Sequence, residues 1–426
     1  MLVGLAFVIL LLIGTPIGFS IGIAGMVGVV QMGGEQFLAM GPSRMFNSLD
    51  IFPFLAMPFF ILAGEIMNHV GITQQLMRFA HVLVGHFRGG LAHANMVASI
   101  MFAGLTGAAT ADAAAFGKTL VPEMVRQGYR RDYACAVTAA GSIIGPTIPP
   151  SGIMVVYGSL MGVSIGGLFA AGILPGLLIC IVCMAVIALG AARNKLPKAE
   201  ARASFMDVAR SFAKSIAALL MPVIILGGIL GGVVTPTEAA SVAVAYALAL
   251  GVFVYRNTSF SALCRMLLRT AIISGVIFVI IGFASTLGWW MSFNRIPQAI
   301  AETLLSISEN RHVLILLIIG LLLAIGMVMD VTAILIILAP VLAPLGAQIG
   351  LEPIHAGLIF IIALNISLMT PPVGACLFVL SSVTGEKLEK IALKLWPFLI
   401  AEVAVLILFA FWEDMAMLIP RWLGFA

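Results

Sequence analysis

Ala140-Gly-Ser-Ile-Ile-Gly-Pro-Thr-Ile-Pro-Pro-Ser-Gly152 and Leu364-Asn-Ile-Ser-Leu-Met-Thr-Pro-Pro-Val-Gly374 interrupt two apolar runs of the chain. Each stretch carries a Pro-Pro pair flanked by Gly, Ser, Thr or Asn. Paired prolines delete two backbone donors and clash with the preceding turn, so a helix breaks there and frees carbonyl oxygens. In hydrocarbon an unpaired carbonyl costs several kcal/mol, so a break survives only against protein, water or an ion. A single break reads as a kink satisfied by neighbouring helices. Two at matching places, 222 residues apart (Pro149 to Pro371), point to an ion or substrate site.

The surroundings are a membrane protein. Of 426 residues, 62% are hydrophobic and 9% charged, with a mean hydropathy of +1.17. Soluble domains carry about 25% charged residues, so a water-soluble enzyme, a disordered chain and a nucleic-acid binder are excluded. The apolar runs are continuous, not alternating, which excludes a membrane β-barrel. A helical span needs about 20 apolar residues. Ten spans are expected, near 2–15, 17–33, 51–68, 133–160, 165–192, 215–233, 236–255, 270–293, 356–383 and 395–413. The first two, joined at Thr15-Pro16, read equally as one long broken helix. Two further stretches, about 92–124 and 313–344, are interrupted by Gly104-Leu-Thr-Gly-Ala-Ala-Thr110 and Gly326-Met-Val-Met-Asp-Val-Thr332. Each half is too short to cross alone, so re-entrant hairpins are expected.

Charge placement supports that count. With the N-terminus outside, segments 69–91, 118–132, 193–214, 256–269 and 386–394 face the cytoplasm and hold 18 of the 22 Lys and Arg, as the positive-inside rule requires. The N-terminal MLVGLAFVILLLIGTP lacks a basic n-region and cleavage site, so it reads as a first span and not a signal peptide. The halves also resemble each other. Gly14-Thr-Pro and Val234-Thr-Pro are offset by 220 residues, Asp112 and Asp330 by 218, and the Pro-Pro pairs by 222. The expected architecture is an all-α polytopic fold of two repeats, 1–195 and 215–426, joined by the basic linker 193–214. Each repeat has five spans and a hairpin. Five is odd, so the second repeat is inverted relative to the first, the plan of secondary transporters.

The hairpin tips complement the breaks. Gly104, Thr106, Gly107 and Thr110 in the first, and Gly326, Asp330 and Thr332 in the second, offer close backbone approach and oxygen ligands. Tip against break would surround a small hard cation with oxygens, as Na⁺ needs, while open helix N-termini favour an anionic group. Asp112 reads equally as a helix cap, whereas Asp330 is expected at or beside an ion site. Glu238 in T-P-T-E-A reads as a capping box, and Glu65 and Glu402 as acids reaching the interface. Segment 69–91 is amphipathic and is expected along the cytoplasmic surface, and the tryptophans suit interfacial anchoring. The histidines lack metal-ligand spacing. Cys180-x-x-Cys183, within a run of Ile, Val, Leu and Met, reads as buried small hydrophobes and not as a metal or redox site.

GPTIPPSG at 145–152, TPTEA at 235–239, GMVMD at 326–330 and TPPVG at 370–374 together resemble the large membrane subunit of tripartite ATP-independent periplasmic transporters, in the family's order and over essentially the whole chain. The resemblance implies an elevator-type, Na⁺-coupled importer of organic acids in the bacterial inner membrane. Its partners would be a small four-span membrane subunit, expected as a separate chain, and a periplasmic substrate-binding protein. It carries one Na⁺ site onto Gly104, Thr106, Gly107, Gly141, Gly145 and Thr147, and a second onto Gly326, Asp330, Thr332, Asn365, Met369 and Thr370. A substrate carboxylate is expected around Ser142, Thr147, Ser151, Asn365 and Thr370. Where relatives often have G-S-x-x-A-D at the first tip, this chain has Thr106-Gly-Ala-Ala-Thr-Ala-Asp112, which leaves fewer hydroxyls. A proton-coupled carrier of the same fold is the nearest alternative. A channel, or an intramembrane aspartyl protease built on Asp112 and Asp330, is the rival of another class, though a protease gives no reason for paired Pro-Pro breaks. Sialic acid, C4-dicarboxylates, keto acids and sugar acids all offer the required carboxylate.

Overall fold

A computed structural model describes residues 2–32, 39–191, 193, 196–197, 202–372 and 374–425, apart from the side chains at 73 and 104–106. Every regular element among them is helical. Six helices are long and apolar enough to cross a bilayer, or eight if each of two bent pairs counts as one span. Seven of the ten expected spans are among these eight, and the eighth is Val331–Gln348, expected as half of a hairpin too short to cross but with 18 residues apolar enough to do so. The other three expected spans are short or broken. The first two are helices of 11 and 15 residues, Leu2–Leu12 and Ile17–Gln31, split at Thr15-Pro16. Span 356–383 is two helices, Pro353–Ser367 and Ala375–Thr384. In both cases proline has removed the donors that would have continued the helix.

Helices also extend into stretches whose charge suggests loop. Much of 192–201 lies outside the described residues, but helix Phe205–Leu230 takes in the end of the basic linker. Helix Phe260–Phe293 runs 34 residues and includes Arg265 and Arg269, about 50 Å at 1.5 Å per residue. Its counterpart in the first half is Met40–Leu49 followed by Phe52–His69, bent by 65°. Asp50 leaves helical geometry there (φ −80°, ψ 54°) and Pro53 follows, whereas 270–281 contains no proline. Arg269 pairs with Glu65 at 3.2 Å and bridges the two elements, so Glu65 has a defined partner. The capping box is present: Thr235 N–H donates to Glu238 at 2.8 Å, and Glu238 N–H to the Thr235 hydroxyl at 3.3 Å.

The succession of elements recurs between the halves. Helices Ala109–Arg126 and Val331–Gln348 have 18 residues each, and Gly152–Met161 and Ala375–Thr384 have 10 each. Amphipathic Ile72–Val84 has a counterpart in Ile296–Ile307, which the hydropathy reading passed over. Ile72, Leu76 and Ala80 bury one face of the first of these, which lies against both Gly90–Thr106 and Phe205–Leu230.

The halves are tied together by a reciprocal exchange. Ile17–Gln31 packs along Phe260–Phe293 of the other half, and Pro236–Ala249 packs along Ala56–His69. The first contact is a seam of small residues, the usual way for helices to approach closely without water to drive them together. A Cβ on Gly22 would lie 2.5 Å from the Phe283 ring, and one on Gly28 2.7 Å from Trp290. At Gly25 the obstacle is backbone, the Leu287 nitrogen at 3.1 Å. Alanines 239, 240, 243 and 247 line the reciprocal seam, all buried.

The C-terminal end of the second half carries exposed ion pairs. Arg311 meets Glu413 at 2.5 Å, and Arg421 meets Asp414 at 2.7 Å and Glu352 at 2.9 Å. The hydrogen bonds to Glu352 and Asp414 hold the Arg421 guanidinium above its ordinary range. Glu402, expected at the interface, is instead fully buried and accepts from the Cys183 thiol at 3.3 Å. It sits on Leu388–Phe411 where that helix packs against Ile165–Gly190. All five cysteines are free thiols.

Gly25→Ile should wedge the seam apart and lower stability by about 1–3 kcal/mol, as overpacking does. Thermal unfolding in detergent should show a reduced Tm. Gly4→Ile, at a glycine with open space around it, should leave Tm unchanged.

Candidate functional site

The first hairpin is Gly90–Thr106 and Ala109–Arg126; the second is Arg311–Gly326 and Val331–Gln348. The first broken span is Arg131–Ser142, Ile144–Thr147 and Gly152–Met161, bent by 42°; the second is Pro353–Ser367 and Ala375–Thr384. Both Pro-Pro peptides, 149–150 and 371–372, are cis.

Each tip rests on a break. At the first tip Gly107 turns the chain with φ +58°, a left-handed conformation that favours glycine, and a Cβ there would come within 3.1 Å of the Pro150 carbonyl oxygen and 3.3 Å of Gly152 N. Gly104 and Thr106 lie where side chains are outside the described residues. Gly145 faces the Asp112 carboxylate so closely that any Cβ would collide with it. Gly141 faces Asn95 and Ser99 on the first hairpin instead of its tip. Asn95 donates to Thr138 at 2.8 Å, so a buried polar contact ties hairpin to broken span. The sequence reading missed it, since one Asn and one Ser in an apolar helix carry no spacing signal. At the second tip Gly326 seats directly on Ser367, where a Cβ would collide with that side chain.

The broken spans meet through Asn365, whose amide donates to the Thr147 hydroxyl at 3.1 Å. Thr147 in turn donates to the Ile143 carbonyl at 2.8 Å. The same habit recurs: Ser142 donates to Ala139 O, Ser367 to Leu364 O and Thr370 to Ile366 O, at 2.7–2.8 Å. A hydroxyl whose proton is committed to a helix carbonyl presents only lone pairs to its other neighbours. Ser151 Oγ and Asn365 Oδ1 are buried and have no partner among the described residues. Buried polar atoms of this kind are uncommon and call for an explanation.

The helix-cap reading of Asp112 falls instead to Asp330, which also lines the cavity between tips and breaks. Asp330 caps Val331–Gln348, accepting from Thr332 N at 2.9 Å and Ala333 N at 3.4 Å. Asp112 sits in the first turn of Ala109–Arg126, fully buried, behind the first tip.

A cavity of about 170 Å³ opens where tips and breaks converge. Thr110, Pro150, Gly152, Asp330, Thr332 and Leu368 line one side; Met57, Phe60, Met221 and Ile277, from three other helices, wall the other. Ser142, Thr147, Ser151, Asn365, Met369 and Thr370 do not line it but lie behind it in the buried interior. Helices Ala109–Arg126 and Gly152–Met161 begin at the cavity with no side-chain cap. No Lys, Arg or His is among the described residues that line it. A second, larger space of about 1580 Å³ lies further along Ala109–Arg126 and Phe205–Leu230, lined by Arg78, Arg126, Arg210 and Lys214 together with Glu123 and Asp207, so that its lining keeps a positive excess. No cluster of three or more His, Cys, Asp or Glu able to hold a metal occurs among the described residues.

Paired breaks, paired tips and a cavity between them define a multi-pass membrane transporter. The chain belongs to the family described as the DctM component of tripartite ATP-independent periplasmic transporters, which matches residues 4–415. It is 38% identical to the sialic acid TRAP transporter large permease protein SiaM of Vibrio cholerae, over 97% of this chain and 96% of that one. It is 36% identical to the C4-dicarboxylate TRAP transporter large permease protein DctM of Pseudomonas aeruginosa, over 95% and 94%. Among solved structures, the YdaH transporter of Alcanivorax borkumensis superposes with a TM-score of 0.59 at 17% identity, covering 92% of this chain and 90% of that one, which is a likeness of fold. These relatives are permeases, and this chain is a transporter permease and not an enzyme.

Gly326→Ala should lower Tm through the clash with Ser367, by about 1–3 kcal/mol of stability. Ser367→Gly in the same chain should restore most of it. A double-mutant cycle with no coupling between the two positions would show that the tip does not rest on the break.

Proposed function

We propose that this permease imports an organic acid coupled to Na⁺, accepting it from a periplasmic binding protein and working with a small four-span membrane subunit in the bacterial inner membrane. The observation that carries the reading is the cavity. Two uncapped helix N-termini open onto it, and no basic side chain lines it among the described residues. Helix N-termini favour a carboxylate, but partial charges alone leave the anion unbalanced. A cation behind the cavity would supply the balance. The lone pairs of Ser142, Thr147, Ser367 and Thr370, with the partnerless Ser151 Oγ and Asn365 Oδ1, form an oxygen-rich layer there. Hard cations take oxygen ligands, and hydroxyl and amide oxygens dominate this layer. Site one draws on Gly104, Thr106, Gly107, Gly141, Gly145 and Thr147, and site two on Gly326, Asp330, Thr332, Asn365, Met369 and Thr370.

In this proposal the halves are inverted repeats, both termini are periplasmic, and hairpins and broken spans move as one elevator unit. They slide against a wall formed by Ala56–His69, Phe205–Leu230 and Phe260–Phe293. Na⁺ binding holds the tips on the breaks and completes the carboxylate site. The basic space beside Arg78 and Arg210 is the cytoplasmic exit, where positive potential favours departure of an anion from an apolar cavity. The second reading, proton coupling, is favoured by the fully buried Asp112 carboxylate.

Uptake by the reconstituted complex should fall at least about tenfold when choline replaces Na⁺ at constant ionic strength. Asn365→Ala should raise the half-saturating Na⁺ concentration by about tenfold, the equivalent of about 1.4 kcal/mol. Uptake that proceeds equally without Na⁺ but collapses with the pH gradient would assign the coupling to protons.

A further inference from the structure

The chemistry of the cavity wall restricts which organic acid can be carried, an inference that rests on the cavity being the carboxylate site. The polar side chains on the wall are Thr110, Asp330 and Thr332, all on the hairpin tips. Everything facing them from the opposite side is apolar: Met57, Phe60, Ile61, Met221, Ile273 and Ile277. We infer that the substrate is a short monocarboxylate with an aliphatic body, of the 2-oxo or 2-hydroxy acid class. Its carboxylate lies at the uncapped starts of Ala109–Arg126 and Gly152–Met161, and its hydrocarbon body lies on the Phe60–Ile277 wall.

Three features converge on that assignment. Size comes first: the space of about 170 Å³ is partly open and comparable to a closed void of about 150 Å³ that accommodates benzene, so the enclosed part suits the body of an acid of about four to seven carbons. A sugar acid, besides being larger, would turn its hydroxyls toward side chains that cannot bond them, and each unpaired buried hydroxyl is costly. A dicarboxylate would place its second charge either on the apolar wall or beside Asp330, with no Lys, Arg or His among the described lining residues to meet it. Desolvating an unpaired carboxylate costs several kcal/mol. The 2-oxo or 2-hydroxy oxygen, by contrast, lies next to the carboxylate and so falls on the tip side, within the zone of Thr110 and Thr332. One polar end and one apolar end of the ligand thus match the two sides of the site.

The test is direct binding to the full chain, purified in detergent in NaCl, by calorimetry with three probes: 4-methyl-2-oxopentanoate, succinate and N-acetylneuraminate. The oxo acid should bind at least about tenfold tighter than either other probe. Ile277→Thr, which places a hydroxyl on the apolar wall, should weaken the oxo acid by about tenfold while leaving Tm without ligand within a few degrees. Succinate or N-acetylneuraminate binding as tightly as the oxo acid overturns the inference and leaves the carboxylate site standing. An Ile277→Thr variant with an unchanged order and spread of affinities also overturns it, since the wall would then not contact the substrate. Absence of binding by all three acids, in Na⁺ and at neutral pH, overturns the carboxylate-site reading itself and the inference with it.

Discussion

A broken helix in hydrocarbon must find partners for the backbone it exposes, and the rest of this structure is arranged around meeting that demand twice. At Pro149-Pro150 and Pro371-Pro372 the chain gives up continuous helix. The compensation comes from the tips of the two hairpins. Gly107 brings one hairpin tip against the Pro150 carbonyl, and Gly326 brings the other against Ser367. Irregular backbone at membrane depth is tolerated only where protein or a cavity covers it. Here tip and break cover each other, and the cavity lies at the edge of their contact. The same requirement explains why glycines occupy these seats: any larger residue would hold the two exposed backbones apart.

A second constraint works on the whole body. Each half contributes one helix to the flank of the other, Ile17–Gln31 onto Phe260–Phe293 and Pro236–Ala249 onto Ala56–His69. The contacts use different residues for the same purpose, glycines against Phe283, Leu287 and Trp290 in one case and alanines in the other. Elements at matching places in the two halves differ in shape. Prolines and Asp50 bend one wall element by 65°, whereas its 34-residue counterpart continues unbroken. Two of the walls facing the cavity are therefore related in position and unlike in outline.

Much of this was legible because breaks leave marks in sequence. Pro-Pro, Gly-rich tips and T-P-T-E are local signals with fixed backbone consequences, and the cap at Thr235 and Glu238 formed as its spacing requires. Helix ends near charge were less legible. Arg265 and Arg269 read as loop because the positive-inside rule assigns such charges to loops, yet helix Phe260–Phe293 runs through both. Apolar residues with special duties were invisible. Met57, Phe60 and Ile277 face the cavity, but in a chain that is 62% hydrophobic nothing separates them from those facing lipid. Glu402 failed for the opposite reason: an acid near a span end is assumed to reach water, and only packing against Ile165–Gly190 shows that Cys183 meets it instead.

The exposed ion pairs of Arg311, Arg421, Glu352, Glu413 and Asp414 carry a consequence for any experiment in which salt is varied. Such pairs contribute little each, about 0–1 kcal/mol, and ionic strength weakens them, with a screening length near 10 Å at about 0.1 M. They join the C-terminal helices to the starts of Arg311–Gly326 and Pro353–Ser367. Under the proposed Na⁺ coupling, sodium chloride would act on this protein by two routes of opposite sense: as a general electrolyte it loosens the clasp of C-terminal ion pairs, and as a specific ligand it would tighten the interior. A titration with sodium alone superimposes the two, and only replacement by an inert monovalent salt separates shielding from occupancy.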